Sequence, residues 1–255
     1  MIKNMLYEGK TVVGPWCTIP SPDIIHIFGT AGMDFVIIDM EHGAITYEVM
    51  TAMIRAADAT DTSPIVRVAG EHGILHALDA GAHGVLVPHI ESVKDATKAI
   101  SHAKYHPIGK RGFSPFTPAG GYEASPVHAE IQNELTMLGL ILEGINGVKN
   151  LDAILSIPDI EDKVDLIYIG AYDLSQSLGH PGDVDNPDVR GAMFECIDKI
   201  RDRGIVAGGY VAKGASDIEW MALAGMQFIT LLPDSAILYR AVRDFMAKDV
   251  RYGTW

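Results

Sequence analysis

The sequence predicts one (β/α)8 barrel, a TIM barrel, that spans residues 1–255 as a single domain. Eight short apolar segments alternate with segments of helical pattern, which is the order of elements in such a barrel. The apolar segments are rich in Val, Ile and Leu and mostly continuous, as in parallel strands covered on both faces. The chain of 255 residues also suits one barrel, which typically needs about 250 residues.

The elements follow one another in a regular order. Strands are predicted at 11–19, 35–39, 64–68, 84–88, 138–144, 166–170, 205–210 and 228–233. Apolar residues at helical spacing predict helices at 21–31, 46–59, 91–104, 187–203, 214–224 and 234–248. Ser21 and Pro22 favour a helix start, because serine caps the first turn and proline suits the first helical position.

The longest irregular segment is 105–121, between strands four and five, which is dense in Gly, Pro and aromatic residues. Loops of this length are usually functional or disordered. We therefore predict an active-site lid here, with a tolerated surface insertion as the alternative.

The composition limits the class of partner. The chain carries 20 Lys+Arg and 33 Asp+Glu, a formal net charge of −13, which argues against nucleic acid and anionic membranes. No apolar run approaches the roughly 18 residues of a membrane span. Cys17 and Cys196 lie far apart and outside any CxxC motif, so we expect inert thiols and a cytoplasmic protein.

Polar and aromatic side chains mark the carboxyl ends of several predicted strands, where barrels of this type place their active sites. They are Trp16 on strand one, Asp39, Glu41 and His42 after strand two, Arg67 on strand three, Glu143 on strand five and Asp173 after strand six. Charges within apolar strands are costly to bury unless they are paired or bound to a metal. The sequence therefore predicts one polar site at this end, with His89 after strand four as a weaker candidate.

Two pairs within this set suggest specific chemistry. Glu143 and Asp173, from adjacent strands, suit a hard divalent ion such as Mg²⁺ or Mn²⁺, with Co²⁺ as a further candidate. A structural salt bridge to Arg67 is the alternative. Asp39 and His42 are three residues apart, a spacing that suits a histidine acting as general base with the aspartate orienting its ring. The alternative is that Asp39 caps the next helix and His42 packs beneath it.

Seven segments of the chain occur in the order of a known family. They are GPW at 14–16, IDMEHG at 38–43, VRV at 66–68, DAGAHGVLVP at 79–88, GKRG at 109–112, LEG at 142–144 and IGAYDLSQSLG at 169–179. Over nearly its whole length the chain resembles the HpcH/HpaI aldolase family, the metal-dependent pyruvate aldolases. The resemblance implies a barrel related to phosphoenolpyruvate-binding enzymes and a homo-oligomer, a hexamer of two trimers.

The resemblance also implies a role for individual positions. Glu143 and Asp173 would bind the divalent ion, Arg67 would contact the pyruvate oxygens, and His42 paired with Asp39 would take part in proton transfer. Further residues are expected to bind substrate. The turn from Gly170 through Tyr172 to Asp173 would bind the pyruvate carboxylate, and Trp16 would form a wall of the pocket. Asp79 precedes strand four at the opposite barrel end, so it would bind substrate at the site of a neighbouring subunit.

The chemistry of such a site can be argued from the residues. Cleavage of a 4-hydroxy-2-oxo acid into an aldehyde and pyruvate passes through a pyruvate enolate, which a divalent ion and Arg67 would stabilise. His42 with Asp39 would remove the C4 hydroxyl proton. A lysine Schiff base is the other route, but no lysine lies within a predicted strand and Lys213 is the only near candidate.

Two departures from the family pattern bear on the substrate. Tyr172 stands in a turn that often reads GPAD, and Ile141 stands where the family often has a polar residue. They leave open decarboxylation of oxaloacetate on the same site, or a non-catalytic metabolite-binding barrel. Arg111, Phe113 and Tyr122 are expected to select the acceptor aldehyde, with ordinary loop packing as the alternative.

Overall fold

A computed structural model describes residues 2–247, in which eight parallel strands close into a barrel. Each strand pairs with the next along the chain, and the last pairs with the first. This confirms the predicted (β/α)8 fold, and every predicted strand overlaps an observed one. The strands are β1 (Val12–Cys17), β2 (Phe35–Asp39), β3 (Ser63–Arg67), β4 (Gly84–Val87), β5 (Met137–Leu142), β6 (Leu166–Ile169), β7 (Val206–Ala212) and β8 (Phe228–Leu231).

Helices surround the strands. They are α1 (Ile2–Tyr7), α2 (Pro22–Thr30), α3 (Tyr47–Asp58), α4 (Glu71–Asp79), α5 (Val93–Ala103), α6 (His128–Leu135), α7 (Ile145–Lys149), α8 (Leu151–Leu155), α9 (Ala171–Ser177), α10 (Pro187–Asp202), α11 (Ala215–Leu223) and α12 (Asp234–Ala247), with 3₁₀ turns at Pro118–Gly120 and Ile160–Asp162. The six predicted helices match α2, α3, α5, α10, α11 and α12. The sequence analysis does not identify the other helices, which have five to nine residues. Apolar periodicity is a weak signal in segments this short, although α2 and α11, with nine residues each, are predicted.

The strands bury both of their faces. Inside the barrel, apolar side chains form one cluster in which Phe35 stacks on Phe228 with ring centroids 4.1 Å apart. Ile2 and Leu6 of α1 join this cluster and close the amino end of the barrel. A second, larger cluster lies between the strands and the outer helices. This two-sided burial explains why the strands appear in the sequence as continuous apolar segments.

The prediction that residues 105–121 form a lid over this chain's own site is wrong. The segment follows α5 and precedes β5, so it lies at the amino ends of the strands, opposite the site. There Arg111 is buried, with Nη2 2.6 Å from Oδ1 of Asp79 at the end of α4, while Phe113 and Tyr122 are exposed. A loop that follows a helix emerges at the amino end of a barrel, whereas a lid must follow a strand.

Two further expectations concern a membrane span and the C-terminal residues of the chain. Among residues 2–247, no helix has both the length and the apolar character that crossing a bilayer requires. The sequence leaves open whether residues 251–255 pack on a neighbouring subunit or are disordered, and these residues lie outside the described ones.

A buried lysine also lies at the amino end of the barrel. Lys104 is 2% exposed, and its Nζ donates hydrogen bonds to the carbonyl oxygens of Asn133 and Thr136 over 2.9 and 3.0 Å. Burial disfavours the charged form and lowers the pKa of Lys104 to about 8, well below its ordinary value.

The free energy of unfolding is expected to rise with pH through this group. Between about pH 8 and pH 10 the folded chain releases the Lys104 proton while the unfolded chain still holds it, so alkali favours the folded state. Urea denaturation across this range should show the wild type gaining stability relative to Lys104→Met. Parallel pH profiles for the two proteins would contradict the lowered pKa. Lys98→Met, at a half-exposed lysine on α5, is the control and should follow the wild type.

Candidate active site

One cavity of about 480 Å³ opens at the carboxyl ends of the strands. It brings together eight of the nine residues predicted for the site, which are Trp16, Asp39, His42, Arg67, Glu143, Gly170, Tyr172 and Asp173. The ninth, Asp79, is the last residue of α4 at the opposite end of the barrel. Residues scattered over the chain therefore converge because each of them follows or ends a strand.

Asp39 and Arg67 end the adjacent strands β2 and β3 and are partners in their register. Arg67 Nε donates to Oδ1 of Asp39 over 2.8 Å, Nη2 lies 2.5 Å from Oδ2, and Nη1 lies 3.2 Å from a carboxylate oxygen of Glu41. The guanidinium carbon lies 4.5 Å from the ring centre of Trp16. Burial by itself would lower the pKa of Arg67, but Asp39 and Glu41 raise it. Arg67 is therefore a positive charge held in one place.

The predicted pairing of Asp39 with the His42 ring is wrong. Oδ1 of Asp39 accepts hydrogen bonds from the backbone N–H groups of Glu41 and His42, at 3.1 and 3.3 Å, and both carboxylate oxygens bind Arg67. Asp39 binds Arg67 instead because the guanidinium lies directly across the strand pair and offers two donors whose spacing matches the two carboxylate oxygens. The exposed His42 ring lines the cavity and has no hydrogen-bond partner within residues 2–247.

Glu143 follows β5 and is buried against a histidine that the sequence marks only weakly. The backbone N–H of His89 donates to Oε1 of Glu143 over 2.9 Å, and Nδ1 of the ring lies 2.8 Å from the same oxygen. Nε2 of His89 lies 2.7 Å from a carboxylate oxygen of Glu41, so the ring joins two carboxylates. Neither His89 nor Glu41 has a role predicted from the sequence, although both lie just beyond the carboxyl end of a strand.

Comparison with known proteins identifies the family. The sequence model of the protein family described as HpcH/HpaI aldolase/citrate lyase matches residues 13–241. The chain belongs to this family. A hydroxypyruvate/pyruvate aldolase of Roseobacter denitrificans is 32% identical over 249 residues, which cover 96% of this chain and 95% of the relative.

Further relatives within the HpcH/HpaI family agree with this assignment. A 2-keto-3-deoxy-L-rhamnonate aldolase of Klebsiella pneumoniae is 32% identical over 248 residues, covering 94% of this chain and 89% of its own. The crystal structure of a family protein from Burkholderia cenocepacia superposes with a TM-score of 0.89 at 28% identity and covers 97% of this chain and 98% of its own. The shared fold therefore extends over the whole barrel.

The carboxylates of this HpcH/HpaI site fit a hard divalent cation. Ligand atoms of Glu41, His89 and Glu143 lie within 4.8 Å of one another. Burial raises the pKa of Glu143, as do the charges of Glu41 and Asp173, while hydrogen bonding from His89 opposes this. A cation among these groups would offset the repulsion, and carboxylate oxygens are the ligands that Mg²⁺ and Mn²⁺ prefer. The alternative salt bridge from Glu143 or Asp173 to Arg67 does not form, because Arg67 binds Asp39 and Glu41.

Three aromatic residues, Trp16, Tyr168 and Tyr172, shape the wall of the cavity. Tyr168, which sequence reasoning missed, packs edge-on against Trp16 with ring centroids 5.7 Å apart. Burial raises the pKa of Tyr168 to about 12, so its phenol stays protonated at neutral pH. Tyr172 in the first turn of α9 is half-exposed, and Ile141 is buried beneath the cavity. Both departures from the family pattern therefore face the space that a substrate would occupy.

Gly170 lets the β6–α9 turn approach Glu143 closely. A Cβ at position 170 would lie 2.6 Å from the Cβ of Glu143, which is closer than two carbon atoms that are not bonded to each other can approach. Only glycine therefore fits here without displacing the Glu143 side chain.

Gly170→Ala is expected to weaken binding of Mn²⁺ by about 10- to 100-fold, the range for changes to groups that orient a metal ligand. Isothermal titration with Mn²⁺ measures the effect directly. Gly191→Ala in α10 is the matched control, because a Cβ there meets nothing within 4 Å, and its Mn²⁺ affinity should equal that of the wild type. Unchanged affinity in Gly170→Ala would contradict the importance of this contact.

Proposed function

We propose that this chain is a metal-dependent aldolase that reversibly cleaves a 4-hydroxy-2-oxo acid into pyruvate and an aldehyde. The observation that carries the proposal is the single cavity where Arg67, Glu143, Asp173 and His42 meet. Relatives that match nearly the whole chain are named hydroxypyruvate/pyruvate aldolase and 2-keto-3-deoxy-L-rhamnonate aldolase, which supports the same reaction class.

Glu143 and Asp173 are proposed to hold the divalent ion, Mg²⁺ or Mn²⁺ or else Co²⁺, with Glu41 and His89 beside them. When bound, the ion supplies positive charge to the oxygens of the oxo acid as the enolate develops. Glu143 is held for this role by two contacts from His89. Asp173 enters from the first turn of α9, so the two carboxylates reach the cavity from neighbouring barrel units.

Arg67 is proposed to stabilise the negative charge that develops on the pyruvate oxygens. Because Asp39 fixes the guanidinium through two contacts and Trp16 packs against its face, little reorganisation is needed during the reaction. Asp39 therefore acts as a positioning residue for Arg67. The turn at Gly170 and Tyr172 and the Trp16 ring are proposed to complete the pyruvate pocket.

His42 is proposed to take the proton from the C4 hydroxyl of the substrate. Its ring is exposed to the cavity and unpaired within the described chain, so a substrate hydroxyl can reach it. The ring receives no support from Asp39, and it must be oriented by the substrate itself or by a neighbouring copy. Asp79, which lies at the opposite barrel end with residues 105–121, is proposed to bind substrate at the site of a neighbouring subunit.

Such sharing requires a homo-oligomer, for which we propose a hexamer of two trimers. One face of α12 carries large apolar side chains in solvent, which supports assembly. They are Leu238, Tyr239, Val242, Phe245 and Met246, between 50% and 67% exposed. We also propose a cytoplasmic location, which fits the free and buried Cys17 and Cys196.

Exchange of pyruvate methyl protons for deuterium tests the enolate step without any aldehyde. With Mn²⁺ or Mg²⁺ the exchange is expected, and addition of EDTA should stop it; a second assay with glycolaldehyde should yield an aldol product. Turnover that survives EDTA would overturn the metal dependence. If oxaloacetate is consumed but no exchange or aldol product is seen, the protein is a decarboxylase, and if nothing is consumed it is a binding protein.

A further inference from the structure

A histidine stands between two carboxylates at the edge of the site. Nδ1 of His89 lies 2.8 Å from Oε1 of Glu143, and Nε2 lies 2.7 Å from Oε1 of Glu41. Ligand atoms of all three residues lie within 4.8 Å of one another. This set contains a nitrogen donor, which the pair of Glu143 and Asp173 lacks, so the two sets suit different ions.

The backbone of His89 takes part in placing its ring. The φ of 58° lies in the left-handed region, which residues other than glycine rarely adopt. In this conformation the backbone N–H donates to Oε1 of Glu143 over 2.9 Å, so the main chain and the ring of His89 contact the same oxygen. The attachment of the main chain at this oxygen therefore sets where the ring lies.

An ion can approach these groups from solvent. The side chain of His89 is 71% exposed, while those of Glu41 and Glu143 are 15% and 7% exposed. A smaller cavity of about 260 Å³, bordered by His89, Glu143 and Asp173, opens beside the ring. Among residues 2–247, the lining of the 480 Å³ cavity includes Glu143 but neither His89 nor Glu41. An ion bound to His89 would therefore reach Glu143 from the side of the smaller cavity.

Each ring nitrogen of His89 has a carboxylate beside it, which suits a metal ligand. A histidine that binds a metal through one nitrogen usually donates its other N–H to a carboxylate or a similar acceptor, and this hydrogen bond fixes the ring. Whichever nitrogen binds the ion, one glutamate remains as the partner of the other nitrogen. Zn²⁺ binds its ligands at about 2.0–2.2 Å, which places them roughly 3–3.5 Å apart. The contacts of 2.7 and 2.8 Å therefore need to open only slightly to admit it.

We propose that His89, together with Glu41 and Glu143, forms a metal site that selects Zn²⁺ over Mg²⁺. Imidazole is a ligand that suits Zn²⁺, whereas Mg²⁺ prefers oxygen atoms and keeps several of its waters. The two glutamates attract either ion, and the imidazole supplies the selectivity between them. The inference goes beyond the proposed aldolase function, because it concerns the binding of an ion by the protein without substrate.

Titration of the metal-free, full-length protein with Zn²⁺ and with Mg²⁺ tests the site. The wild type is expected to bind Zn²⁺ more tightly than Mg²⁺. In His89→Gln the Zn²⁺ affinity should fall by about a hundredfold or more, above the loss of about 10- to 100-fold that follows when a group only orients a ligand. The Mg²⁺ affinity should fall much less. Equal losses for the two ions would mean that His89 only orients Glu143, and would overturn its role as a ligand.

Pulsed EPR of the protein loaded with Cu²⁺, a paramagnetic substitute, reports the imidazole directly, because the remote ring nitrogen of a bound histidine modulates the electron spin echo. The modulation should disappear in His89→Gln and persist in His42→Gln. His72→Gln is the matched control, because His72 is exposed and borders a neighbouring cavity together with His89, and both its modulation and its Zn²⁺ affinity should equal those of the wild type.

Modulation that persists in His89→Gln would overturn the proposed site. Exchange of pyruvate methyl protons with Mn²⁺ in the wild type keeps the two proposals apart. Absence of that exchange would overturn the aldolase function and leave the zinc site standing, whereas normal exchange with no preference for Zn²⁺ over Mg²⁺ would overturn the zinc site alone.

Discussion

Arg67→Met is expected to remove activity and to destabilise the fold. The change leaves the Asp39 carboxylate, 1% exposed, without its two contacts from the guanidinium. Removing one partner of a buried ion pair typically costs about 3–5 kcal/mol, because the remaining charge stays desolvated. Loss of the fixed positive charge should also lower kcat by about a hundredfold or more. Urea denaturation and pyruvate methyl-proton exchange measure the two effects separately.

Two further variants separate stability from catalysis. Arg67→Met combined with Asp39→Asn should regain much of the lost stability, because the buried charge of Asp39 is removed together with its partner, yet stay inactive. Arg203→Met is the control for loss of an arginine, because Arg203 pairs with Glu161 at the surface and such pairs contribute about 0–1 kcal/mol. If the double variant recovered activity along with stability, Arg67 would be only structural.

Glu143→Gln is expected to have opposite effects on activity and on stability. The amide keeps the shape of the side chain and can still accept the hydrogen bond from the His89 N–H, but it is a poor ligand for a divalent ion. Exchange of pyruvate methyl protons should fall on the order of a thousandfold, since the ion supplies several kcal/mol of charge stabilisation. Titration with Mn²⁺ should show a parallel loss of affinity.

The metal-free Glu143→Gln protein should nevertheless unfold at a higher urea concentration than the wild type. Burial and the neighbouring charges of Glu41 and Asp173 disfavour the Glu143 carboxylate, and the amide removes that penalty. Glu48→Gln, at an exposed glutamate on α3, is the control and should match the wild type in all three measurements. Full Mn²⁺ affinity in Glu143→Gln would exclude this residue as a ligand.

Much of the site follows from one rule that can be applied to the sequence. Residues at the carboxyl ends of parallel strands meet at one face of a barrel, so the sequence alone groups Asp39, Arg67 and Glu143. The lid predicted at residues 105–121 does not obey this rule, because the segment follows helix α5 rather than strand β4 and so lies at the amino end. The element that precedes a loop therefore decides the face of the barrel on which the loop lies.

The sequence by itself determined the barrel, the order of its strands and the set of residues at one end, because burial on both faces and strand-helix alternation are local patterns. Only the tertiary structure decided which of these residues touch. Asp39 binds Arg67 rather than His42 because strand register places the guanidinium opposite it. His89 reaches Glu41 and Glu143 from a third strand end, and contacts between distant segments leave no spacing in the sequence that would reveal them.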